Sequence, residues 1–137
     1  MEVLYMTNAL QALLGAKPAT EITETVAIKR LGTDFTIKAL TGADIDGIRA
    51  QATRPVRNGK KFEQQVNEAE VSRLLVAKGT VEPDFANAEL LKHVEATDAG
   101  ECVQKALLAG EIATLQQAIL ELSGFGDLDE EIEDAKN

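Results

Sequence analysis

Few side chains in this sequence can do covalent or acid–base chemistry. His93 is its one histidine and Cys102 its one cysteine, and an imidazole near a thiol is the minimal pair for nucleophilic catalysis. No motif places a third polar residue to orient the imidazole, so the pair reads as a buried thiol and a surface imidazole. Glu89 and His93 stand at i and i+4 and offer two ligands to one cation, but a metal site needs three or four and no further histidine exists. Gly124-Phe125-Gly126 has the glycines of a phosphate-binding turn. It follows a predicted helix, however, whereas such a turn precedes one and presents its N-terminal N–H groups. A helix cap is the simpler reading, and no catalytic residue, metal or cofactor is expected.

Charge is the stronger signal. The 137 residues carry 14 bases against 23 acids, a net −9, and the field of such a chain repels phosphates, which argues against nucleic acid as a partner. The imbalance has two poles. Residues 127–137 hold six acids and one base, giving −5, whereas residues 49–61 hold Arg49, Arg54, Arg57, Lys60 and Lys61 with no acid, giving +5. The basic stretch has two readings, a solvated loop or a partner-contact loop. In the second, Arg54, Arg57, Lys60 and Lys61 receive an acidic segment, either this tail from a neighbouring subunit or a partner's helix. The acidic segment has Leu128, Ile132 and Ala135 as its only apolar residues, too few to offset the ordering of a tail, and is expected to be mobile.

The remaining composition bounds the class. With roughly 150 residues per domain, the chain reads as one globular domain over residues 1–126 followed by the acidic tail 127–137. Four Phe, one Tyr and no Trp are too few rings for a base-stacking surface or a sugar cleft. A single cysteine excludes an internal disulfide framework. No apolar run approaches the roughly 18 residues of a membrane span, and Glu2 stands where a signal peptide carries bases, so a cytoplasmic protein with no membrane partner is expected.

These residues are placed by a short series of elements. Thr7 caps a helix bearing Leu10, Leu13 and Leu14, ended by Gly15 and Pro18. Residues 23–30 and 35–39 alternate as strands around a turn at Leu31-Gly32-Thr33-Asp34, with Val26, Ile28, Phe35 and Ile37 facing inward. Thr41 and Asp44 start a helix with Ile45, Ile48 and Ala52 buried, and Pro55 stops it. Asn58-Gly59 turns a second, basic hairpin. Asn67 with Glu70 starts a helix through Val71, Leu74 and Leu75 to Gly79, and Val81-Glu82-Pro83-Asp84-Phe85 is a rigid connection. Asn87 and Thr97 open two short helices. The clearest helix spans residues 111–123, with Ile112, Leu115, Ile119 and Leu122 in one stripe and Gly124 as its cap. The sum is an α+β fold, a small antiparallel N-terminal sheet packed with a C-terminal bundle of short helices.

Several segments carry a resemblance. Ala88-Glu89-Leu90-Leu91, Leu107-Leu108-Ala109-Gly110-Glu111-Ile112 and Ile119-Leu120-Glu121-Leu122-Ser123-Gly124-Phe125, in that order, are similar to the XkdN-like phage tail assembly chaperones. Phe35-Thr36-Ile37-Lys38-Ala39-Leu40-Thr41-Gly42 resembles that family's strand-to-helix segment, and Gly79-Thr80-Val81-Glu82-Pro83-Asp84-Phe85 its Val-Glu-Pro connection. The resemblance covers residues 8–125. It implies a phage or prophage protein that coats the tape measure protein during tail assembly in the host cytoplasm and is absent from the finished tail. It also implies contact with the tail tube protein through a longer form made by ribosomal frameshifting, and it is compatible with a homo-oligomer. Ala135-Lys136-Asn137 fits an A-rich slippery run. Against this stand two other classes, a small acidic regulatory adaptor or inhibitor, and a cysteine hydrolase using Cys102 and His93. A tape measure gene immediately downstream separates the chaperone from the adaptor, and retention of function in Cys102→Ala separates it from the enzyme.

Overall fold

Alternation in the N-terminal third produces the expected hairpin. The structure, a computed structural model, describes residues 2–126, with side chains from Asn8 onward; the acidic tail 127–137 lies outside the described residues. Helix α1 (Glu2–Gly15) leads to strands β1 (Thr23–Ile28) and β2 (Thr33–Lys38), which pair antiparallel with Val26 opposite Phe35 and Ile28 opposite Thr33. Ile28, Phe35 and Ile37 are buried and Val26 packs against them. The turn sits earlier than Leu31–Asp34. Lys29–Leu31 forms a single 3-10 turn and Gly32, at φ 65°, takes the left-handed conformation open to glycine, its N–H reaching the carbonyls of Ile28 and Lys29 at 3.1 Å each.

The rest follows as α2 (Gly42–Gln51), β3 (Thr53–Asn58), β4 (Lys61–Val66), α3 (Glu68–Gly79), β5 (Thr80–Glu82), α4 (Ala88–Val94), α5 (Ala99–Ala106) and α6 (Ala109–Leu122). An antiparallel sheet of order β1-β2-β5 packs with helices concentrated in the C-terminal half, so the fold is α+β, and β3 and β4 form a separate two-stranded sheet. Caps carry the helix starts. Thr41 Oγ1 accepts from Asp44 N at 3.2 Å while Asp44 Oδ2 accepts from Thr41 N at 2.9 Å, and Asn67 and Asn87 each accept from the third helical residue at 3.1 Å.

Four expectations are corrected. Helix α1 begins at Glu2, ahead of Thr7, because a threonine inside a helix costs only about 0.7 kcal/mol or less relative to alanine and nothing between Glu2 and Thr7 breaks the helix; its Leu10, Leu13 and Leu14 are exposed. Helix α2 ends at Gln51 rather than at Pro55, with Thr53 Oγ1 donating to the last-turn Arg49 carbonyl at 2.7 Å. The cap of α5 is Asp98, not Thr97: its carboxylate accepts from Glu101 N at 2.8 Å, while Thr97 Oγ1 donates to the Glu101 carboxylate at 2.9 Å. The Val-Glu-Pro connection contains a strand. Thr80 lies opposite Ile37 and Glu82 opposite Thr36, so β5 covers one edge of β2, and Phe85 beyond it is buried edge-to-face on Phe35, ring centroids 6.2 Å apart.

The core sits where α3 and α6 cross beneath this sheet. Leu115 and Ile119 of α6, with Val76 of α3 and Ile37 of β2, are 0 % exposed. Gly79 permits the crossing, for a Cβ there would lie 2.6 Å and 2.7 Å from Ile119 side-chain carbons. The far end of α6 is tied to the connection between β2 and α2 through Ser123, whose Oγ accepts from Leu40 N at 2.8 Å and donates to the Ile119 carbonyl at 2.6 Å.

One ion pair joins the hairpin to the helical half. Arg30 donates from Nε and Nη2 to the two carboxylate oxygens of Glu111, at 2.9 Å and 2.7 Å, and Glu111 also accepts from Leu108 N at 2.8 Å, which is why α6 starts at Ala109 rather than at Glu111. Arg30 and then the Leu108 amide hold the Glu111 carboxyl below the usual glutamate range. A depressed folded-state value stabilises above the unfolded value of about 4.3, and the contribution is lost as pH falls through the lower folded value. Glu111→Gln is expected to lower Tm at neutral pH, with the gap to the parent closing in acid. A gap that is constant with pH means that the charge contributes nothing.

Candidate partner-binding site

The basic stretch folds as a β-hairpin arm and not as a loop. β3 and β4 pair from Thr53 opposite Val66 to Asn58 opposite Lys61. The central turn residues are Gly59 and Lys60, one position later than Asn58-Gly59. Gly59 has φ 67°, as a two-residue hairpin turn with glycine first requires, and Arg57 Nε donates to the Gly59 carbonyl at 3.0 Å. The base of the arm is anchored. Ala52 is buried, Asn67 N donates to the Ala52 carbonyl at 2.9 Å, and Val66 packs on the core. Beyond the base the strands are exposed, Phe62 at 69 %. At about 3.3 Å per residue, six paired positions give a ribbon about 20 Å long.

Register divides the four cations expected to act together. Side chains alternate along a strand and cross-strand partners share a face. Arg54 and Lys61 therefore lie on one face with Val56 and Glu63, Arg57 lies on the other with Phe62, and Lys60 is at the tip. Their electrostatic surroundings differ as well. Arg54 donates to the carbonyls of Gln51 and Thr53 and pairs with Glu70 at 3.3 Å, and Arg49 pairs with Glu68 at 3.2 Å. Arg54 thus fastens the base of the arm, and Arg49 the last turn of α2, to the first turn of α3. Glu63 is engaged by Asn58 Nδ2 at 3.2 Å. Among the described residues, no carboxylate pairs with Arg57, Lys60 or Lys61. The arm thus presents three cations that no described carboxylate meets, Arg57 beside the exposed Phe62, Lys60 at the tip and Lys61 on the opposite face. Phe62 was not singled out in the sequence as a contact residue; its signal is its place opposite Arg57 once Gly59 fixes the register.

The other sequence candidates are not brought together for chemistry. Cys102 is 0 % exposed inside α5, and burial pushes its thiol up, the opposite of an activated nucleophile. His93 is exposed on α4. Glu89 and His93 sit on one exposed helix, and no group of three or more metal-ligating side chains occurs among the described residues. Gly124, at φ 98°, follows the C-terminus of α6 as its cap. An open cleft of about 570 Å³ between α2, α3 and α5 is lined by small side chains such as Gly47, Ala77, Ala99 and Gly100, and Cys102 and His93 do not line it. No helix among the described residues is long and apolar enough to cross a membrane.

The fold and surface define a small α+β protein that extends a cationic hairpin from a helix-backed sheet. The family model for the phage XkdN-like tail assembly chaperone protein matches residues 10–136, and the chain belongs to that family. Its role is accordingly in phage tail assembly, with tail proteins as partners. No curated protein sequence shows a significant match. Among solved structures, the crystal structure of the protein YqbN is similar, with a TM-score of 0.56 and 22% identity over 75% of this chain and 87% of that one. At that identity the likeness bears on the fold alone.

Proposed function

We propose that this chaperone binds the tape measure protein during tail assembly, without catalysis, and that the β3–β4 arm is its contact surface. The carrying observation is the arm itself, with Arg57, Lys60 and Lys61 free of carboxylate partners among the described residues and Phe62 exposed on the face of Arg57. Charge gives such a surface its on-rate and orientation toward an acidic helix, and an exposed ring gives it area to bury. Binding takes place in the cytoplasm of the bacterial host, and the chaperone leaves before the tail is complete. Contact with the tail tube protein belongs to a longer, frameshifted form. The buried, unactivated Cys102 supports a non-enzymatic role.

Replacing Arg54, Arg57, Lys60 and Lys61 together with Gln tests the arm. All four are exposed, and since Arg54→Gln also removes the pair with Glu70, an unchanged circular dichroism melt certifies the fold of the variant. Affinity for the tape measure protein is expected to fall about tenfold at low salt, about 1.4 kcal/mol, and by less at 0.15 M, where screening acts within about 8 Å. Equal affinity of parent and variant at both salts returns the arm to the solvated reading.

A further inference from the structure

The β3–β4 arm has two free edges, and they differ. Asn67 N donates to the Ala52 carbonyl at 2.9 Å, which fixes the alternation up the ribbon: Arg54–Gln65, Val56–Glu63 and Asn58–Lys61 are the pairs that exchange hydrogen bonds across it. The main-chain groups of Thr53, Pro55 and Arg57 therefore point out of the β3 edge, and those of Phe62, Gln64 and Val66 out of the β4 edge. The β3 edge is blunted. Pro55 has no N–H to offer, and the Thr53 carbonyl already accepts from Arg54 Nη1 at 3.1 Å. The β4 edge is open: among the described residues, no group bonds to the outward main chain of Phe62 or Gln64, and both side chains are exposed. An edge of this kind accepts a further strand.

We propose that two copies of this chain pair β4 to β4, antiparallel about a two-fold axis at Gln64, and so join their arms into one four-stranded sheet. Charge selects a second copy as the occupant. Residues 49–61 carry +5, whereas residues 62–126 hold eleven acids against four bases, −7, so the cationic arm of one copy is drawn to the acidic helical half of the other. Charge and length together select the register. Gln64 is the midpoint of the open edge from Phe62 to Val66, and an axis there pairs its whole length. An axis one residue nearer the tip sets Glu63 against Glu63, and one residue nearer the base drives the tip past the end of β4 into α3. With Gln64 on the axis, Phe62 of each copy lies opposite Val66 of the other, an apolar pair at the edge of the core on which Val66 packs. The tip with Lys60 then reaches the first turn of the other copy's α3, where Glu68 is exposed. The ladder supplies about six backbone hydrogen bonds, and the two-fold closes the assembly at two copies. This pairing concerns the chain alone and does not rest on the proposed function.

Light scattering and amide exchange on the full chain, with no other protein present, read the pairing. An interface this small is weak, so the mass should approach twice the chain's 14.7 kDa at about 0.5 mM and fall toward the single-chain value on dilution. Exchange at the Phe62 and Gln64 amides should slow about threefold at the higher concentration, while the Arg57 amide on the β3 edge should not change. Gln64→Glu and Gln64→Lys each set like charges face to face on the axis at an exposed position, and each should weaken the dimer about fivefold. An equimolar mixture of the two variants should recover at least the parent's affinity. A parent that is monomeric at 0.5 mM, exchange at Phe62 and Gln64 that ignores concentration, single variants that associate as tightly as the parent, or a mixture no tighter than either variant alone overturns the proposal. None of these outcomes bears on whether the arm binds the tape measure protein.

Discussion

Leu115→Asp is expected to unfold the protein. Leu115 is 0 % exposed at the centre of α6, in the cluster that joins α3, β1 and β2. Truncating a buried leucine costs about 2–5 kcal/mol through lost contacts and the cavity left behind. Leaving an unpaired carboxylate in the same place adds several kcal/mol, or forces it to protonate at similar expense. Against a total stability of roughly 5–15 kcal/mol, the sum removes the native state at neutral pH. Circular dichroism should show loss of most helical signal and no cooperative melt, while Leu115→Met, close in volume, should cost less than about 1.5 kcal/mol. A Leu115→Asp protein that melts like the parent but no longer binds its partner would move this stripe from core to interface.

The second large effect is at Gly79. Alanine is ordinarily the better residue in a helix by about 0.5–1 kcal/mol, yet a Cβ at this position meets the Ile119 side chain at 2.6 Å and 2.7 Å, and Ile119 is 0 % exposed, inside the close-packed core. Overpacking of this kind costs about 1–3 kcal/mol and outweighs the helix gain. Gly79→Ala should therefore lower Tm by several degrees, at roughly 2–8 °C per kcal/mol for domains of this order. Ile119→Val removes the carbon at 2.6 Å, so the double variant should lose less than the two single changes added together. Strict additivity would mean that the crossing adjusts without strain.

Local chemistry decides which features could be read before the fold was known. Thr41 with Asp44, and Asn67 with Glu70, cap helices through neighbours three residues away, and the stripe of Leu115 and Ile119 follows from helical period alone. The β1–β2 hairpin was legible from alternation for the same reason. β5 was not, because three residues are too few to show a period, and its strand character comes from the free edge of β2 that it meets. The Arg30–Glu111 pair and the Gly79–Ile119 contact join residues far apart in sequence, and no spacing announces them. At the candidate site, the charge of residues 49–61 was plain in the sequence. Its division was not, since only the register from Gly59 puts Arg57 and Phe62 on one face and Arg54 and Lys61 on the other, and only the packing of α3 answers Arg54 with Glu70.

Co-expression of this chain with the tape measure protein, followed by size-exclusion chromatography with light scattering in low salt, is the most direct test of the proposed function. A complex of the two proteins that elutes ahead of the free chaperone, and that weakens as salt rises toward 1 M, is the result expected of a cationic arm on an acidic partner. If the chaperone elutes at its own position while the tape measure protein elutes or aggregates without it at every salt concentration, the proposed partnership is wrong.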